Sequence, residues 1–202
     1  MSWLGTLHGK LIHERRVGRL SSLLAEHLPP DSSVLDVGCG DGRLSFLIKS
    51  RRPDLTIEGI DVHLRESALI PVSAFDGDKI PFDGKSFDVV MFVDVLHHTD
   101  DPMVLLREAA RVARKTILLK DHNDEGFLSN PILRMMDWVG NKPHGVSLPY
   151  NYWKRQAWDS GFEELGFERA AMIEDLRLYP LLIDAVCGRR LHFIASLSVP
   201  IG

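Results

Sequence analysis

Cysteine is scarce: Cys39 and Cys187 are the two among 202 residues, and neither a C-x-x-C nor an H-E-x-x-H spacing occurs. A disulfide framework is excluded, as is a zinc site of recognisable spacing, so no metal is expected. No stretch approaches the ~20 apolar residues of a membrane span. The first twenty residues, MSWLGTLHGKLIHERRVGRL, lack the unbroken apolar centre of a signal peptide. The expectation is a soluble, unprocessed chain in a reducing, cytoplasmic compartment. There is no basic excess either, since 24 Lys and Arg against 28 Asp and Glu leave a net charge of −4. Nucleic acid is therefore not expected as a partner.

What is present is an alternation of short apolar runs and helical patterns. With 45% hydrophobic and 26% charged residues, the chain has the make-up of one globular domain. Over residues 7–28 apolar positions recur near helical spacing until Pro29 and Pro30, which predicts an amphipathic opening helix. Residues 33–37 read as a strand, followed by Gly38, Gly40 and Gly42 and then a helix carrying Leu44, Phe46, Leu47 and Ile48. Further strands are expected at 55–62, 69–75 and 86–93, with a short helix at 64–68. Asp101 and Pro102 cap and open a helix over 103–113, and 116–120 is a fifth strand. Continuous apolar runs of this kind mark strands covered on both faces, which predicts an α/β fold with an open, doubly wound, mostly parallel sheet. Past Lys120 the rhythm breaks, with helices expected from Asn130 to Gly140 and over 152–164, and last strands at 167–173 and 191–197.

The chemistry concentrates in VLDVGCGDGRL, residues 34–44. Gly38, Gly40 and Gly42 put no side chain over the turn, and the helix behind it aims free N–H groups and its positive dipole end at the same place. Such a turn suits a carboxylate or phosphate, although glycines there can also serve the turn alone. With Asp36 two residues ahead, the G-x-G-x-G spacing departs from the dinucleotide fingerprint. Asp61 ends the second strand, 19 residues past Gly42, where a carboxylate can accept both hydroxyls of a ribose. Asp76 ends the third, where an acid can accept from an amino group such as that of adenine.

In order, VLDVGCGDG, IEGIDV, FDGDKIPFDGKSFDVVMFVDVLHH and REAARVARKTILL resemble the successive motifs of class I S-adenosylmethionine (SAM) dependent methyltransferases, type 11 domain, over about residues 33–120. The resemblance implies a Rossmann-like seven-stranded sheet with helices on both faces and SAM as cofactor. It places Gly38, Gly40 and Gly42 beneath the methionine part with Asp36 near its amino group, Asp61 on the ribose, Asp76 and the Gly77 backbone on the adenine, and the Val93 backbone beside the methionine end. The family's frequent Lys-Pro-Gly-Gly turn before the fifth strand is missing from residues 111–115. The chain would divide into an N-terminal helix (1–30), the SAM-binding core (33–120), a substrate lid (121–165) and terminal strands (166–202).

Transfer from a sulfonium asks the protein mainly to align nucleophile and methyl, with a base only where the acceptor must lose a proton. An acceptor off the carboxyl ends of the strands would meet Asp94, His97 and His98, and Asp121 and His122. Of these His122, Asp121 and His98 are the catalytic candidates, with His122 as base. Trp138, His144, Tyr150, Tyr152 and Trp153, interleaved with Gly140, Gly145 and Pro149, read either as a lid or as a packed connection. The pairs Arg15–Arg16, Arg51–Arg52 and Arg189–Arg190 are expected in solvent, Cys39 as a space-filler and Cys187 in the core. The function expected is methyl transfer to a small apolar or aromatic acceptor; the alternatives are a protein or RNA acceptor, or a non-catalytic SAM-binding or partner-binding protein.

Overall fold

The computed structural model describes residues 3–141, 149–188 and 190–200. Its strands are β1 (Ser33–Val37), β2 (Thr56–Asp61), β3 (Val72–Ala74), β4 (Phe87–Val93), β5 (Ala113–His122), β6 (Glu168–Ile173) and β7 (His192–Ser198), and its helices α1 (Trp3–His27), α2 (Arg43–Arg51), α3 (Pro102–Val112), α4 (Ser129–Asn141), α5 (Arg155–Glu164) and α6 (Leu181–Cys187). The strands form one sheet in the order β3-β2-β1-β4-β5-β7-β6. Neighbours from β3 to β5 are parallel, while β7 runs antiparallel to both β5 and β6.

Side chains alternate across the sheet. Leu35, Val37, Val90, Phe92, Ile117 and Leu119 share a core with α3 and α5. Val34, Val89, Met91 and Leu118 pack with Leu20 and Leu24 of α1 and Ile48 of α2. Because both faces are covered, the strands read as unbroken apolar runs. Helix α3 begins as its sequence dictates, with Asp101 Oδ1 accepting from the Met103 N–H at 2.9 Å and Pro102 in the first turn.

Several expectations are corrected. No helix forms at residues 64–68, where Leu64 and Leu69 are about half exposed and have no core to cover. The strand expected at 69–75 shrinks to the edge strand β3. α5 starts at Arg155 and not at 152, because Tyr152 turns inward to donate to Asp137 and Trp153 packs on Trp158. Helix α6 lacks a side-chain cap and exposes Leu181 and Leu182, so nothing in its pattern announced it. The missing Lys-Pro-Gly-Gly turn is explained by the absence of any turn: α3 ends at Val112 and β5 begins at Ala113. Arg111 secures that junction, binding Glu108 and donating to the Ile80 and Phe82 carbonyls at 2.9 and 2.7 Å.

Two of the arginines expected in solvent have structural work. Arg52 donates to the Ala25 and Leu28 carbonyls at the carboxyl end of α1, where a cation suits the helix dipole, and Arg16 pairs with Asp94. Cys39 fills the space a side chain at Gly59 would take, and Cys187 is half-buried against the α1 side of the core. No described helix is long and apolar enough to cross a membrane.

Candidate functional site

The turn between β1 and α2 is built from three left-handed glycines, Gly38, Gly40 and Gly42, at φ of 74°, 60° and 72°. Their surroundings separate their roles. A Cβ on Gly38 would fall 2.6 Å from Val95, and one on Gly42 2.5 Å from Ile70, so these two are needed for packing. A Cβ on Gly40 would meet nothing within 4 Å; it would project into a cleft.

That cleft has two adjoining lobes at the carboxyl ends of β1, β2 and β4, of about 370 and 480 Å³, which share Gly38, Asp61, Val62, Val95 and His98. The smaller lobe adds Phe75, Gly77, Asp78 and Leu105. The larger adds Asp36, Gly40 and Val93 and, from α1, His13, Arg16, Val17 and Leu20. Asp61 is fixed between them, its Oδ2 accepting from the Gly40 N–H and its Oδ1 from the His63 N–H, both at 2.8 Å. Each oxygen keeps a lone pair for a hydroxyl. Asp36 is 3% exposed and accepts from Ser45 Oγ at 2.6 Å. Burial pushes its carboxyl up to about 6 against the Ser45 hydrogen bond, and the nearby Asp61 adds to the rise.

Asp76 is placed differently from the expectation. Its Oδ1 accepts from the Asp78 and Lys79 N–H groups at 2.9 and 2.7 Å, and those bonds lower its pKa. It caps its own turn, while Gly77 and Asp78 line the lobe.

Asp121 and His122 do not reach the cleft. Asp121 is fully buried; its Oδ2 accepts from the Leu96 N–H at 3.0 Å, and its Oδ1 from the His122 N–H at 2.8 Å and from His97 Nδ1 at 2.6 Å. His97, 1% exposed, has its Nε2 3.3 Å from Asp137 Oδ2. Burial disfavours the imidazolium, but the two carboxylates outweigh it and raise His97 to about 10. His122, 4% exposed, is driven down to about 4 by burial and by the charges of Lys120 and His97, the opposite of a poised base. Tyr152 and Trp153 are likewise turned inward, and His144 and Gly145 lie outside the described residues. No described residue of 121–165 lines either lobe.

Beside this group Asp94, in the left-handed region at φ 58°, holds Arg16 of α1 and the buried Lys120 of β5. Burial opposes its charge, yet the two cations keep it well below the carboxylate range. Ligand atoms of His97, Asp121 and His122, and of His97, His98 and Asp137, come within 4.8 Å of one another, close enough for a metal. The charges already balance, however: Asp94, Asp121 and Asp137 face Arg16, Lys120 and protonated His97.

His98 is the one catalytic candidate that the fold brings to the cleft, at the junction of its lobes. Burial, then the His97 charge, lowers its pKa and so favours the neutral imidazole. Sequence reasoning missed the wall from α1, although His13, Arg16, Val17 and Leu20 fall at helical spacing on one face.

The residues fit a SAM molecule: the turn is bare at Gly40, and Asp61 stands with open lone pairs beside it. Residues 11–170 match the family described as "Methyltransferase domain". The chain is 31% identical over 173 residues to the sarcosine/dimethylglycine N-methyltransferase of Halorhodospira halochloris, covering 76% of this chain and 59% of that protein. It is 29% identical over 93 residues to the ubiquinone biosynthesis O-methyltransferase of Parvibaculum lavamentivorans, 42% of this chain and 37% of that one. It thus spans less than two thirds of these relatives' length. A solved structure from Pyrococcus horikoshii OT3 superposes with a TM-score of 0.69 at 16% identity, covering 93% and 91% of the two chains. The chain belongs to the class I SAM-dependent methyltransferases.

Proposed function

We propose that the protein transfers the methyl group of SAM to a small-molecule acceptor. The observation that carries this reading is the two-lobed cleft, with Asp61 and His98 where the lobes meet and Gly40 lining the larger one. The smaller lobe, between Val62, Phe75 and Leu105, suits a flat base, and Asp61 suits the ribose. Asp36 lies on the side of the glycine turn and α2, where an ammonium would relieve its buried charge. Bound SAM supplies an electrophilic methyl on a sulfonium. The protein's own part is to orient the two reactants under α1 and to take a proton from the acceptor at His98. Of the relatives described above, one is named for N-methylation of sarcosine and dimethylglycine and the other for O-methylation in ubiquinone biosynthesis.

The test is incubation with methyl-labelled SAM and a cell extract separated into small-molecule, protein and RNA fractions. Label in the small-molecule fraction supports the reading. Label in protein or RNA overturns the acceptor class, and SAM binding without label in any fraction overturns catalysis.

A further inference from the structure

Most of the large apolar side chains that the fold leaves in solvent lie in two segments. Phe127 is 99% exposed, and Trp138 and Val139 of α4 are half exposed or more. Leu181 and Leu182 of α6 are 81% and 86% exposed, with Val186 beyond them. The two helices lie against each other, Met136 and Ile183 reaching the same core from them. Isolated exposed leucines need no explanation; a cluster of this size marks an interaction surface.

Charge selects the occupant. Within residues 127–139 and 181–190 both acids are taken inside: Asp137 accepts from Tyr152, and Asp184 from the Tyr179 N–H at 3.1 Å. The exposed charges of the described residues there are Arg134 and Arg190. The described residues of these two segments thus expose basic and no acidic side chains. Apolar side chains rimmed by arginine complement an anionic lipid surface.

Position gives the surface a use. α4 leaves β5 and α6 enters β7 at the edge where His122 pairs with His192, which is the edge that carries the cleft. The segment leading into α6 touches α1, Tyr179 lying beside Arg16 in the cleft wall. We propose that the α4–α6 face docks on an anionic phospholipid bilayer, lying on it and not crossing it, and brings the cleft to a lipophilic acceptor dissolved there. The use, though not the docking, rests on the methyltransfer reading.

The test is flotation of the whole protein with vesicles of phosphatidylcholine alone and with phosphatidylglycerol added. Expected is co-flotation with the anionic vesicles, reduced at least tenfold by high salt and by Leu181→Ser with Leu182→Ser, while SAM affinity and melting temperature stay unchanged. No flotation, or flotation that the double variant retains, overturns the proposal. So does light scattering that shows a dimer abolished by the variant, since a second copy would then cover the face. As no acceptor is present, failure here is distinct from failure of the methyltransfer reading.

Discussion

Asp121 Oδ1 lies 2.6 Å from His97 Nδ1 with both side chains out of solvent, and the other oxygen of the same carboxylate holds the Leu96 N–H. A single buried acid on β5 therefore shapes the loop that leaves β4 and, through His97, the place of His98, whose ring centroid is 4.0 Å from that of His97. Removing the charge strands an imidazolium that now sits between two carboxylates. Asp121→Asn should destabilise the fold by ~3–5 kcal/mol, the cost of breaking a buried pair, as read by denaturant unfolding. Undiminished stability with lost turnover would instead make Asp121 part of the reaction.

The glycines should separate by experiment. Gly38→Ala and Gly42→Ala force a methyl into Val95 and Ile70 and add left-handed strain, so both should lower the melting temperature markedly. Gly40→Val bears the strain alone, ~1–2 kcal/mol, and should remain folded by circular dichroism while losing SAM binding. An unfolded Gly40 variant would remove the argument that the cleft, not the packing, needs this glycine.

Asp61→Ala tests the ribose assignment. Its carboxylate already accepts two backbone N–H groups, which hold it still for a ligand. Loss of a charged acceptor should weaken SAM binding by ~1.5–3 kcal/mol in calorimetry. Unchanged affinity would move the ribose elsewhere.

How far this was legible in sequence depends on the range of the forces involved. β1, the glycine turn, α3 and the acid at the end of β2 are written in contiguous residues by local rules, so their reading survives in the fold. The roles of Asp121 and His122 are not local. Whether the side chains at the end of β5 face cleft or core depends on distant partners, His97 drawing Asp121 inward from 24 residues away as Asp137 draws Tyr152 from 15; Asp76 is claimed instead by the Asp78 and Lys79 amides of its own turn, a local cap that the strand-end reading passed over. Alternation along β5 could not show this, because both faces of the sheet are covered.

Asp36 makes stability fall with rising pH. In the unfolded chain it titrates near its ordinary 3.8, in the fold near 6. Below 3.8 it is neutral in both states; as pH rises to 6 and beyond, the fold must bear a buried charge that the unfolded chain carries freely. The penalty, about 3 kcal/mol from a shift of this size, should develop across pH 4–6. Asp36→Asn should flatten that part of the stability profile, and an unaltered profile would show that Asp36 is ionised at ordinary cost. In its proposed role opposite an ammonium, SAM affinity should also decline below pH 6.

His98 carries the catalytic step of the proposal, and its test rests on separating binding from turnover. It lines both lobes, and burial followed by the charge of His97 lowers its pKa below the ordinary 6.5. A base of lowered pKa stays competent to more acid pH, so the acid limb of kcat should fall below pH 6.5. His98→Ala should leave SAM affinity near that of the wild type, since the proposal gives the ribose and methionine contacts to Asp61, Gly40 and Asp36, and reduce kcat ~100-fold or more. His122→Ala, with its ring behind the floor at a pKa near 4, should change kcat little while costing stability. If the two variants behaved the other way round, with His98→Ala active and His122→Ala dead, the proton would travel through the buried network and the cleft residue would be a contact surface only.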